Sequence, residues 1–115
     1  MSKSVTQKLK IKTGSCNRCY KEYNLYKVEL QKETERLVAM ENKGEEETKL
    51  KQQQSVIEET KQMIPNTQSR LQQAYNDLKK FIEDECVGDS SVEESEEYKN
   101  ALAILSTVEE STVVQ

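Results

Sequence analysis

Two cysteines three residues apart, in Cys16-Asn17-Arg18-Cys19, form the arrangement in this sequence that comes closest to a chemical motif. A C-x-x-C pair can act as a redox dithiol or supply half of a zinc site. A structural zinc site takes four ligands, and the chain adds only Cys86 and contains no histidine. A redox dithiol is expected at a helix start that follows a strand, and no strand is indicated here. We therefore predict that both cysteines are small, buried, apolar side chains with free thiols.

Other catalytic arrangements are missing from the sequence. The lack of histidine removes the commonest general base and metal ligand, and no glycine-rich phosphate loop is present. The acidic runs at 45–47 and 93–94 are typical of solvated helix faces and helix starts. The sequence thus predicts a protein that is not an enzyme and that needs no cofactor or metal. A helical redox enzyme that uses Cys16 and Cys19 is the weakest of the alternatives.

Apolar residues recur every seven positions along two long segments, which indicates long helices that share an apolar seam. The two series lie on either side of Gly44: Leu9, Cys16, Tyr23, Leu30 and Leu37, then Leu50, Ile57, Ile64, Leu71 and Leu78. Apolar residues make up 34% of the 115 residues and charged residues 33%, so this regular spacing is what separates the chain from a disordered one.

Helix boundaries can be assigned from capping residues and glycines. Ser4 and Gln7 form a capping box for the first helix, and Ser90 with Glu93, or Ser91 with Glu94, forms another for the third. The expected architecture is all-α, a single elongated three-helix bundle over residues 1–115 that runs up, down and up like a spectrin repeat. Its helices are predicted at about 4–42, 45–86 and 91–110, and the third helix frays before the Val113-Val114-Gln115 tail.

Pro65 falls in the middle of the second predicted helix. Proline in a helix removes a backbone donor and clashes with the carbonyl four residues earlier, here that of Lys61. The seven-residue spacing nevertheless continues from Ile64 to Leu71, which favours a continuous helix that is kinked at Pro65. The alternative is a true break at 63–65, because residues before proline disfavour the helical conformation.

The two ends of the chain carry opposite charge. Residues 1–30 have a net charge of +5, and residues 91–115 have a net charge of −5. We therefore expect the third helix to lie beside the N-terminal half of the first. The far end of the rod would then be only two helices thick.

The sequence also limits where the protein acts. No apolar run approaches the length that spans a bilayer, and the N-terminus lacks the apolar stretch of a secretory signal. Three cysteines, an odd number, favour a reducing compartment. We expect an intracellular, soluble protein that does not bind membranes.

Basic and aromatic residues of the first helix have two interpretations. A pI near 5.0 and an acidic neighbouring helix argue against nucleic acid as a partner. Tyr20, Tyr23 and Tyr26 are spaced as core residues with polar tips rather than as a stacking platform. Apolar residues off the seam are more informative, because they form an exposed apolar and basic strip that suits a protein partner. The strip runs through Ile11, Arg18, Leu25 and Val28, and with Lys10 and Lys21 added these are the six residues predicted to contact a partner.

On the second helix, Val56 and Met63 also lie off the seam. They either extend the partner surface or widen the core stripe of the bundle.

Four short segments, in this order and spacing, resemble the tubulin-binding cofactor A family, also called tubulin-specific chaperone A. They are Leu9-Lys10-Ile11-Lys12-Thr13-Gly14, Met63-Ile64-Pro65, Arg70-Leu71 with Ala74-Tyr75-x-x-Leu78, and Glu96-Glu97-Tyr98-Lys99. The resemblance covers about residues 8–110. It implies a slightly bent three-helix rod in the cytosol, associated with the cytoskeleton, that captures quasi-native β-tubulin after chaperonin release and hands it on toward the αβ heterodimer. Other tubulin-folding cofactors are implied as further partners.

A structural role is the competing hypothesis. The two heptad series could drive self-association, which would make the chain a coiled-coil scaffold or assembly subunit. Polar residues beside the seam, such as Gln53 and Thr60, argue against a long oligomeric zipper. The pattern leaves open whether the rod is a monomer or a dimer.

Overall fold

The computed structural model of the chain describes residues 2–111, and over that part it is all-helical and elongated, with extents of 64 × 23 × 17 Å. Its elements are α1 (Ser2–Lys43), α2 (Glu47–Phe81), a π-helical turn (Ile82–Cys86), α3 (Ser90–Glu93) and α4 (Glu96–Glu110). The predicted all-helical rod is confirmed. None of the helices in the described part carries an apolar stretch long enough to cross a bilayer.

A tight turn joins α1 to α2. Gly44 adopts a left-handed conformation with φ of +73°, which glycine tolerates because it has no Cβ. The amide of Glu45 donates to the carbonyl of Met40, and the amide of Gly44 donates to that of Glu41, each at 3.1 Å. These two bonds form a Schellman motif that satisfies the last carbonyls of α1 and sends α2 back along it.

α1 begins earlier than the capping residues predicted. The helix starts at Ser2, so Ser4 lies inside it and does not cap it. The capping-box prediction is wrong at this end because residues 2 and 3 already adopt helical geometry.

α2 runs through Pro65 without interruption from Glu47 to Phe81, so the alternative of a break at 63–65 is wrong. The kink at Pro65 stays a prediction. Just beyond the proline, the buried hydroxyl of Thr67 donates to the carbonyls of Met63 at 3.1 Å and Ile64 at 2.9 Å. These bonds give a polar side chain in the seam its partners within its own helix.

The end of α2 differs from the expected α-helix up to residue 86. Residues 82–86 form a π-helical turn, and the amide of Val87 donates to the carbonyl of Ile82 at 3.1 Å. Ile82 and Cys86, at the two ends of this turn, are both buried. Gly88, with φ of +93°, then reverses the chain.

The structure divides the predicted third helix into two. Asp89 caps α3 by accepting from the amides of Ser91 and Val92, and Ser95 caps α4 by accepting from the amide of Tyr98 at 3.2 Å. The capping boxes predicted at Ser90 and Ser91 are therefore wrong, because the carboxylate of Asp89 takes the capping position one residue earlier. The predicted fraying at 113–115 lies outside the described residues.

α4 packs beside α1 and, less extensively, against α2, which confirms the placement expected from charge. The ion pairs found among residues 2–111 do not join α1 to α4; the pair that links two helices is Arg70 of α2 with Glu22 of α1, at 3.7 Å. Direct ion pairs between α1 and α4 therefore do not account for this placement within the part of the chain that the structure describes.

The hydrophobic core occupies one half of the rod. Thirteen buried residues form one cluster, drawn from α1 up to Tyr23, from α2 beginning at Leu71 and from the elements that follow. In the other half, which we call the distal arm (residues 27–60), the buried residues are Gln53, Ile57 and Thr60. The seam residues of the distal arm are mostly only partly buried, among them Leu30, Leu37 and Leu50.

Candidate partner-binding site

The cysteines lie in or against the core, and the burial predicted for Cys16 and Cys19 is complete only at Cys16. Cys16 and Cys86 are buried, Cys19 is partly buried against the same cluster, and all three thiols are free. Burial, assisted by the neighbouring Cys19, raises the pKa of Cys16 to about 11. Burial is also the main cause that raises the pKa of Cys86. Thiols with raised pKa values stay protonated at neutral pH, which suits packing more than nucleophilic chemistry.

The six residues of the predicted strip are all exposed on α1. Its apolar members keep much of their surface in solvent: Ile11 is 67% exposed, Leu25 60% and Val28 48%. At helical spacing the six share one exposed stripe of α1. Four of them also line grooves where α1 meets α2 or α4, namely Lys10, Arg18, Lys21 and Leu25.

The first groove lies between α1 and α2, and we call it the α1/α2 groove. Its volume is about 550 Å³, and its lining residues are Arg18, Cys19, Lys21, Glu22, Leu25 and Arg70. Leu25 supplies exposed apolar surface, and the guanidinium of Arg70 lies 3.7 Å from the carboxylate of Glu22. Ile11 precedes Arg18 by one heptad and continues this side of α1 toward the N-terminus.

The second groove lies between α1 and α4, and we call it the α1/α4 groove. Its volume is about 590 Å³, and its lining residues are Lys10, Thr13, Gly14, Asn17, Tyr20, Lys21, Asn100, Ala103, Ile104 and Thr107. Of these described residues none is acidic, and the two cations are Lys10 and Lys21. The groove therefore presents uncharged side chains, several of them small, together with two positive charges.

Lys21 lines both grooves, so it stands on the ridge between them. Val28 follows Lys21 by one heptad on that ridge. The single strip predicted from the sequence is thus an exposed ridge with one groove on each side.

Several lining residues were not predicted from the sequence. Arg70 belongs to α2, and Asn100, Ala103 and Thr107 belong to α4. The signal for the α4 set is a stripe of small uncharged residues at spacings of three and four, beside the buried stripe of that helix. Which groove such a stripe enters depends on the rotation of α4, which spacing alone does not specify.

The other surface and core predictions can also be assessed. Tyr23 is buried, and Tyr20 packs partly buried against the core cluster, which confirms the core interpretation for both residues. Val56 and Met63 remain exposed, which favours the partner-surface alternative for them. Val56 lines a third groove of about 760 Å³ in the distal arm.

A comparison with protein families decides the class of the chain. The family model described as tubulin binding cofactor A matches residues 4–105. The chain belongs to this family. The matched range contains all six residues of the predicted strip and nearly all residues that line the two grooves.

Relatives in the tubulin binding cofactor A family span almost the whole chain. Tubulin-specific chaperone A from Mus musculus and that from Homo sapiens are each 36% identical over 102 residues, covering 89% of this chain and 91% of theirs. The crystal structure of tubulin folding cofactor A from Arabidopsis thaliana has a TM-score of 0.81 at 32% identity, covering 93% of this chain and 97% of that one. The human tubulin chaperone cofactor A structure has a TM-score of 0.75 at 35% identity, covering 91% and 98%.

Proposed function

We propose that this protein is a tubulin-folding cofactor. It binds quasi-native β-tubulin after release from the chaperonin, keeps it soluble and passes it on toward assembly of the αβ heterodimer. The observation that carries the proposal is family membership over residues 4–105, with relatives named as tubulin-specific chaperones and tubulin-folding cofactors. The protein acts in the cytoplasm in association with the cytoskeleton, and other tubulin-folding cofactors receive the client.

The fold supports this role through surface rather than through chemistry. A rod of 64 Å offers long helical faces that can cover client surface otherwise buried against α-tubulin. A protein that binds the folded client but not its aggregates stabilises the client by mass action. An interface with charged, solvated edges also releases its partner more readily than a buried core does. Capture and transfer can therefore use one exposed surface.

The contact surface in this proposal is the ridge of α1 and its two grooves. Its exposed apolar surface, which is favourable to bury against a partner, comes from Ile11, Leu25 and Val28. Positive charge around that surface comes from Lys10, Arg18 and Lys21. Charge complementarity then requires an acidic surface on the client, and binding weakens as salt screens these contacts.

The first test is capture of newly released β-tubulin. The purified protein is mixed with β-tubulin released from chaperonin, and the products are separated by gel filtration beside α-tubulin and the intact heterodimer. Selective co-elution with free β-tubulin is expected. Failure to bind, together with a large self-assembled species, would overturn the proposal in favour of the coiled-coil scaffold.

A charge-reversal variant tests the surface. Changing Lys10, Arg18 and Lys21 together to Glu is expected to weaken β-tubulin binding by about tenfold or more, because attraction becomes repulsion. A matched control changes the exposed residues Lys3, Lys43 and Lys99 to Glu, which alters the net charge equally elsewhere on the rod. Equal binding by the two variants would show that this surface is the wrong one.

A further inference from the structure

Gly14 has no role inside the fold that requires glycine. It lies in the middle of α1 in ordinary helical geometry, and a Cβ built there meets nothing within 4 Å. Glycine in a helix interior lowers stability relative to alanine. Neither backbone conformation nor packing within the chain accounts for this residue, and it lies in the α1/α4 groove.

Thr13, next to it, is the second unusual residue of the α1/α4 groove. Thr13 is only 7% exposed. Its Oγ1 is buried but has no hydrogen-bond partner among the described residues. Buried polar groups in native proteins nearly always have a partner. A polar group of a partner would supply the missing bond only if the side chains that cover Oγ1 moved aside, because that atom has no contact with solvent.

Charge marks the two ends of the same groove. Lys10 and Lys21 are exposed, and neither forms an ion pair within the part of the chain that the structure describes. They are eleven residues apart, so they stand about 16 Å apart along the axis of α1. That distance equals about three turns of helix, and the described lining between them is uncharged.

We propose that the α1/α4 groove seats an acidic helix of the client. Its backbone approaches α1 at Gly14, where no side chain stands in the way, and its carboxylates pair with Lys10 and Lys21. A groove between two helices accepts the face of a third, and small residues such as Gly14 and Ala103 let the axes come close. This inference rests on the proposed function, because the client is β-tubulin.

Filling the groove tests the proposal. Gly14→Leu places a bulky side chain where the free protein has open space, so the rod is expected to fold with equal or greater helix content. Binding of chaperonin-released β-tubulin is expected to fall by about tenfold or more. Ala103→Leu, on the opposite wall, fills the same groove from an exposed position of α4 and is expected to give the same loss.

Two controls separate bulk in the groove from other effects. Gly14→Ala raises the helix propensity of α1 but adds only a methyl group. Ser69→Leu adds a bulky side chain at an exposed site on α2 that lies outside both grooves. Ser69→Leu is expected to bind like the unmodified protein, whereas Gly14→Ala, whose Cβ stands at the point of close approach, is expected to bind less tightly than the unmodified protein but more tightly than Gly14→Leu. If the unmodified protein and Ser69→Leu capture β-tubulin and both groove-filling variants do so equally well, the groove proposal fails while the proposed function stands. If the unmodified protein captures nothing, the proposed function itself fails.

Cross-linking identifies the occupant. A photoreactive residue in place of Asn100 is expected to attach to an acidic helix of β-tubulin, located by mass spectrometry of the product. Attachment to a neutral or basic segment of β-tubulin would overturn the proposal. Attachment to a second copy of this chain would also overturn it, and would assign the groove to self-association.

Discussion

The hydroxyl of Tyr75 on α2 donates a hydrogen bond to Oε2 of Glu109 in the last turn of α4. Tyr75 is 6% exposed, and its ring belongs to the core cluster, whereas Glu109 is exposed. The bond therefore joins the core of the rod to the surface end of α4. The bond holds α4 against α2, in addition to the packing of α4 against α1. It thereby keeps the α4 wall of the α1/α4 groove in place.

Removing this bond should loosen α4. Tyr75→Phe is expected to lower the free energy of unfolding by about 1 to 2 kcal/mol, because a hydrogen bond to a carboxylate is lost while the ring remains packed. Urea denaturation followed by circular dichroism measures the change. Glu109→Gln keeps an acceptor and should lose less, so an equal loss in both variants would contradict this account.

The same tyrosine predicts a response to alkaline pH. Burial is the main cause that raises the pKa of Tyr75 to about 12, and the bond to Glu109 adds to it. The pKa of Tyr75 in the folded protein lies above the unfolded value of about 10. The contribution of the neutral Tyr75 side chain to the free energy of unfolding is therefore fully present below pH 10 and is lost as the pH rises to about 12. Denaturation curves from pH 9 to 12 should show the loss in the unmodified protein. Tyr75→Phe should lack this component, and identical pH profiles for both would exclude it.

The distal arm should open before the rest of the rod. Residues 27–60 contribute nothing to the main core cluster, and the side chain of Gln53 reaches the carbonyl of Glu33 at 2.8 Å in place of an apolar contact. Regions with few buried apolar contacts open at low free energy. In native-state hydrogen exchange, amides of the distal arm are expected to exchange about tenfold or more faster than those around Leu71 and Leu78. Uniform protection along α2 would contradict this expectation.

Two glycines should respond to alanine in opposite directions. Gly14→Ala is expected to raise the free energy of unfolding by up to about 1 kcal/mol, since the site is helical and open. Gly88→Ala is expected to lower it by about 1 to 2 kcal/mol, because φ at Gly88 is +93°. Thermal unfolding of both variants gives the signs, and a destabilised Gly14→Ala variant would show that the glycine has a structural role after all.

The long helices were predictable because their evidence is repeated many times along the sequence. The apolar residues seven positions apart, such as Leu9, Cys16 and Tyr23 on α1 or Leu71 and Leu78 on α2, all add to one periodic pattern. Small local errors therefore do not change the predicted helices. The π-helical turn at 82–86 depends on one inserted residue, and periodicity does not detect a single shift. The division of the third helix follows from two successive caps, Asp89 for α3 and Ser95 for α4, and residue spacing alone does not show that both are used.

The binding surface was predictable only in part, for a related reason. Exposure of Ile11 and Leu25 follows from their position off the seam, and the structure agrees. The separation of Arg18 from Lys10 into different grooves depends on where α2 and α4 pack around α1, which is a tertiary property. The sequence indicates only that Gly14 lowers the stability of the first helix relative to alanine. The role proposed for it, as a site of close approach for a partner, depends on its place in the α1/α4 groove.

The Schellman turn at Gly44 makes the length of the rod adjustable. Its hydrogen bonds involve only residues 40–45, so the turn does not depend on what lies further along either helix. Both helices repeat every seven residues, and removing or adding one such unit in each preserves which side chains meet. Each step changes the reach of the rod by about 10 Å, since a helix rises 1.5 Å per residue. The length of the distal arm can therefore be changed in whole heptads, while the end that contains the core stays the same.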